Sequence, residues 1–107
     1  MEDTKAVEFF QGVLSKTRAG RIRWQPTAED SEYIAAIGGQ FTLSISSDRY
    51  GFGLVLKDQD GRVLTAITSI DAGIEANDVR ELYVTARRQA LQVDDKIDQV
   101  LGELSKL

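Results

Sequence analysis

The chain has 107 residues, 42% of them apolar and 28% charged, with a formal net charge of −4. That length suits one domain, residues 1–107, able to bury a core without covalent staples, and the negative balance argues against a broad electrostatic grip on nucleic acid. Cysteine and histidine are both absent, which removes disulfides, thiolate nucleophiles, thiolate and imidazole metal ligands and the commonest general base.

The start, Met1-Glu2-Asp3, is acidic and unlike a signal peptide. No apolar run reaches the ~18 residues of a membrane span. These features predict a cytoplasmic protein that needs neither membrane nor cofactor. Residues 4–19 fit a first helix: Val7, Phe10, Leu14 and Thr17 recur at helical spacing, Phe9 and Val13 widen the stripe, and Gly20 stops it. Gly12 in its interior weakens it by about 1 kcal/mol relative to alanine, so packing must hold it.

An extended segment, Arg21-Ile22-Arg23-Trp24, alternates apolar and basic side chains, and Pro26 ends it because proline has no N–H for a ladder. Residues 27–31 read as an acidic turn. Strands follow at 33–37, closed by Gly38-Gly39, and at 41–46, where Phe41, Leu43 and Ile45 alternate with Thr42, Ser44 and Ser46. Ser47-Asp48 reads as a tight turn before a strand carrying Tyr50, Phe52, Leu54 and Leu56. Asp58-Gln59-Asp60-Gly61 is a hairpin turn and residues 63–70 the last strand. Such short loops favour an antiparallel meander over parallel crossovers.

After a connection at 71–77, Asp78 reads as an N-cap, with Glu81 completing a variant capping box. Val79, Leu82, Ala86, Ala90, Val93, Ile97, Val100 and Leu104 then form one continuous stripe. A single helix of that length extends roughly 42 Å, more than a small sheet is wide, so its last turns are expected to overhang. The predicted architecture is α+β: a four- to five-stranded antiparallel meander flanked by an N-terminal helix and a long C-terminal helix, both on one face.

Three groups of residues could carry function. Lys16, Arg18, Arg21 and Arg23 form a basic cluster beside Trp24. Arginines next to an aromatic ring can grip an anionic nucleotide-like ligand, although a solvated surface with Trp24 as a core anchor explains the same residues. Tyr83 and Arg87, four apart on the long helix, extend that ligand-binding set, though Arg87 can equally serve as flank packing. Val84, Arg88 and Leu91 face away from the stripe and offer a seam for a second helix, in a homo-oligomer or with a protein partner. Gly51 and Gly53 leave a bare patch of strand without the context of a phosphate loop. Asp94, Asp95 and Asp98 read as a solvated acidic face, and no cleft-forming carboxylate pair suggests catalysis.

The order Gly20-Arg21-Ile22-Arg23-Trp24-Gln25-Pro26-Thr27, then Asp58-Gln59-Asp60-Gly61, then Leu82-Tyr83-Val84-Thr85-Ala86-Arg87-Arg88-Gln89-Ala90-Leu91 resembles a widespread group of small, largely uncharacterised bacterial proteins. The resemblance implies a bacterial or phage origin and a sheet between an opening and a closing helix, and it implies no particular activity. The leading expectation is a non-catalytic interaction protein working through its C-terminal helix. A small-ligand binder is the alternative, and an enzyme ranks last.

Overall fold

A computed structural model describes residues 4–69 and 73–107. Helix α1 (Thr4–Arg18) is followed by strands β1 (Gln25–Pro26), β2 (Glu32–Ile37), β3 (Phe41–Asp48), β4 (Gly51–Asp58) and β5 (Val63–Thr68). Two helices close the chain, α2 (Ala76–Ala90) and α3 (Val93–Leu104). The strands form one antiparallel sheet in the order β1-β2-β3-β4-β5, the α+β meander that the short loops and alternating side chains predict. The acidic start at residues 1–3, Ile70 at the predicted end of the last strand, and the first part of the 71–77 connection lie outside the described residues.

Register decides which side chains meet. Tyr33, Ile45, Leu54 and Ile67 stand opposite one another across β2 to β5 and are all buried. Because side chains alternate along a strand, this row and the neighbouring Ala35–Leu43–Leu56 row face the helices. Phe10, Val13 and Leu14 of α1 and Val79, Leu82 and Ala86 of α2 close over them in one continuous core. The opposite face carries Ile34, Ser44, Val55 and Ala66 in the matching register, with Ser44 donating to the Glu32 carboxylate at 2.8 Å.

Several local expectations are corrected. The 21–24 segment is irregular, with a bend at Ile22, rather than extended; Ile22 and Trp24 are buried, and only Gln25 and Pro26 pair with β2. Proline sits inside this two-residue strand because β1 is the sheet edge, where a missing N–H costs no ladder bond. The β3–β4 turn is Arg49-Tyr50, not Ser47-Asp48, since Asp48 pairs with Gly51. The Asp48 carboxylate accepts the Tyr50 N–H at 2.8 Å, an aspartate-capped turn, and Tyr50 projects into solvent. The β4–β5 turn is as predicted. Gly61 takes a φ of +83°, and Asp58 accepts from the N–H groups of Asp60 and Arg62. Those backbone bonds, with the Arg62 guanidinium, hold the Asp58 carboxyl below the usual carboxylate range.

The largest correction concerns the C-terminal helix. It is two helices, and α2 starts two residues before Asp78, with Glu75 at the cap position and no side-chain cap bond. Asp78 therefore lies in the first turn, where its charge still favours the helix dipole. Glu81 is taken up by Arg18 of α1, which donates to both carboxylate oxygens at 2.7 and 2.6 Å. A side chain so committed cannot turn back to cap its own helix.

Candidate interaction surface

Helix α2 is tied down at several points. Besides the Arg18–Glu81 pair, the Gln89 side-chain amide donates to the Thr17 carbonyl at 2.9 Å. The Thr17 hydroxyl in turn accepts the Trp24 indole N–H at 3.1 Å inside the core. These bonds join the end of α1, the 21–24 segment and α2 into one corner. Among the described residues no buried side-chain nitrogen or oxygen lacks a partner.

Beyond this corner the helix breaks. Leu91 donates to Arg87 O and Gln92 to Gln89 O, and Gln92 adopts the left-handed conformation (φ 53°, ψ 46°). That geometry costs a non-glycine residue roughly 1–2 kcal/mol. The turn lets Leu91 lie against the core and sends α3 off in a new direction. Asp94 and Asp95 in the first turn of α3 suit its dipole, and Asp94 pairs with Arg88 across the break.

The apolar stripe continues into α3, where, as expected of turns that overhang the sheet, no strand lies beneath it. No residue of α3 is buried; Ile97 is 46% exposed and Val100, Leu101 and Leu104 are each about 55% exposed. These side chains recur at positions 97, 100, 101 and 104, one face of a helix. The molecule is correspondingly elongated, 59 Å in its longest dimension against 29 and 26 Å. A cluster of large exposed aliphatics on one helix is the kind of surface that marks an interaction site.

The predicted seam residues divide. Val84 is exposed on α2, Arg88 is committed to Asp94, and Leu91 packs partly against the core and partly beside Val93 and Ile97 in a shallow apolar hollow. Leu91 therefore links the two helices of one chain, and the exposed apolar surface lies further along, on α3. The stripe read from the sequence contains Ile97, Val100 and Leu104 but not Leu101, and their exposure is the overhang expected of a helix longer than the sheet is wide.

The predicted ligand set is not brought together as a pocket. Trp24 is 3% exposed and its indole N–H is already satisfied, so neither ring face is open to a ligand. Tyr83 is half-buried, its ring 5.8 Å from that of Tyr33 and 5.3 Å from that of Phe52. Burial pushes its phenol above the ordinary tyrosine value, against the opposing influence of nearby Arg87. Arg87, Arg21 and Arg23 are exposed; Arg87 neighbours Tyr83, while Arg21 borders a different surface, between α1 and the β2–β3 hairpin.

That second surface has no signature in the sequence. It is a groove of about 480 Å³ walled by Phe9 and Val13 of α1, Ile22, Ile37 and Leu43, with Glu8, Lys16 and Arg21 at its margin. The residues of its walls were each legible as apolar, but only the fold leaves them side by side and incompletely covered.

The glycine patch on β4 has a local cause. Gly51 has φ +135°, and a side chain there would come within 2.5 Å of Ser69 Oγ. Among the described residues no group of three acidic side chains is placed to hold a metal ion, and no helix is long and apolar enough to cross a membrane. No protein-family model, curated protein or solved structure matches the chain.

Proposed function

We propose that the chain is a non-catalytic interaction protein that associates, through its C-terminal helical segment, with a second copy of itself or with another protein. The observation that carries this reading is α3: twelve helical residues with a full apolar face and not one buried side chain. Leaving such a face in water forgoes roughly 25 cal/mol for each Å² of apolar surface that a partner could cover. The sequence adds support, since it lacks the histidine and cysteine on which much acid–base, nucleophilic and metal chemistry depends.

The experiment is sedimentation combined with native mass spectrometry, on the natural chain and on Leu101→Asp. An oligomer that dissociates on this substitution, with the circular dichroism spectrum retained, is the expected result. A clean monomer at high micromolar concentration removes self-association. Excess mass of a small molecule that is lost on Arg87→Ala would instead favour an anion-binding role for the Tyr83–Arg87 pair.

A further inference from the structure

Among the apolar surfaces that the described residues leave uncovered are the face of α3 and the groove between α1 and the β2–β3 hairpin. Their shapes are complementary in kind, one a single helix and the other a trough flanked by a helix. Their charges are opposed as well. Helix α3 as a whole is acidic, with Asp95, Asp98 and Glu103 beside the Arg88-paired Asp94, and Lys96 bordering its apolar side, whereas the groove margin carries Lys16 and Arg21 against Glu8. Pairing α3 with another α3 would bring two acidic helices together, an arrangement that like-charge repulsion disfavours.

Gly12 provides an independent pointer. It lies in the interior of α1 and on the groove wall, where glycine weakens a helix. Nothing within this chain requires it: its φ is not positive, and a Cβ built there meets no atom within 4 Å. A missing side chain at that position leaves room for a second backbone to approach closely.

We propose that α3 of one copy seats in the α1–β2–β3 groove of a second copy, the two chains exchanging their C-terminal helices. This rests on the reading of α3 as the interaction element and supplies its partner. Reciprocal exchange closes the assembly as a two-fold dimer with two equivalent seams, whereas one-way seating would propagate into a ring or a filament. Ile97, Val100, Leu101 and Leu104 enter the groove, with the acidic residues of α3 on the flanks of that face.

The test uses two variants and their mixture. Leu101→Asp damages the inserted helix and leaves the groove intact. Gly12→Gln fills the groove and leaves α3 intact, while raising the helix propensity of α1, so the melting temperature of the monomer should rise. Each variant alone should weaken the dimer about 30-fold or more, the effect of a single hot-spot residue. Mixing them should form a heterodimer with one good seam, detected by native mass spectrometry, because the intact α3 of one chain meets the open groove of the other. A dimer that survives Gly12→Gln, or variants that fail to complement, would overturn groove seating and leave α3-mediated association standing. A natural chain that stays monomeric at high micromolar concentration would overturn the exchange and the self-association reading together.

Discussion

Helices α2 and α3 follow one another with a single turn between them, are similar in length at 15 and 12 residues, and share an apolar stripe that stays in phase across the break. Yet α2 encloses Val79, Leu82 and Ala86 completely, and α3 encloses nothing. The difference is one of supply. At 1.5 Å per residue α2 runs roughly 22 Å and packs against β1 to β4, a stretch of sheet that strands about 4.8 Å apart make no wider than the helix is long. An amphipathic pattern states that a helix needs a partner, and the rest of the fold decides whether the partner is its own sheet.

The most severe way to probe this contrast is to remove equivalent leucines from the two helices. Leu82→Ala should cost 2–5 kcal/mol by the loss of buried methyl groups and the cavity left behind. Leu101→Ala, measured by urea denaturation at low protein concentration where the chain is monomeric, should stay within about 0.5 kcal/mol. Similar losses for both would mean that α3 is buried within a single chain, and the comparison would collapse.

Next in size is the corner that anchors α2. Thr17→Val keeps the shape of the side chain and removes the acceptor of the Trp24 indole N–H, leaving a buried donor unpaired at about 1–3 kcal/mol. The readouts are the urea midpoint and a change in tryptophan fluorescence. An unchanged midpoint would show that the bond contributes nothing net, and α2's firm seating would have to rest on apolar contact alone.

The break itself gives a prediction whose sign is decisive. At Gln92 the left-handed backbone favours glycine, so Gln92→Gly should raise stability by about 1 kcal/mol. In an uninterrupted helix the same substitution would lower stability by a similar amount. Equilibrium denaturation distinguishes the two outcomes directly.

This position also shows where reading the sequence stops. The strands were legible because Phe41, Leu43 and Ile45 alternate cleanly with polar residues, and the Asp58–Gly61 turn because its chemistry is local. Trp24 as a core anchor followed from its alternation with Ile22. At 91–92 no glycine or proline marks the break, and Ala90, Val93 and Ile97 keep helical spacing through it. The cause lies in distant geometry, namely the extent of the sheet and the fit of Leu91 against the core. The groove escaped notice for the same reason, since Phe9, Ile22, Ile37 and Leu43 come from four separate segments. The β3–β4 turn lies two residues beyond Ser47-Asp48 because Arg49-Tyr50 carries no turn signature of its own, and Asp48 supplies it through its side chain.

The smallest expected effect belongs to the ion pair that fastens α2 to α1. The Arg18 guanidinium beside Glu81 holds the Glu81 carboxyl below the ordinary carboxylate value, because its hydrogen bonds stabilise the charged form. A carboxyl whose folded pKa is depressed contributes stability that is fully present above the unfolded pKa and is lost as pH falls through the folded one. Both partners are substantially open to solvent, so screening keeps the contribution small. Asp58, depressed in the same direction by the β4–β5 turn, adds its own acid sensitivity. Glu81→Gln should therefore lose part of the drop in urea midpoint between neutral pH and pH near the bottom of the carboxylate range, and retain the part due to Asp58. Adding Asp58→Asn should flatten the profile further. If Glu81→Gln has the same acid profile as the natural chain, the Arg18 pair does not fasten α2, and the contrast with α3 rests on the buried leucine and the Thr17 corner.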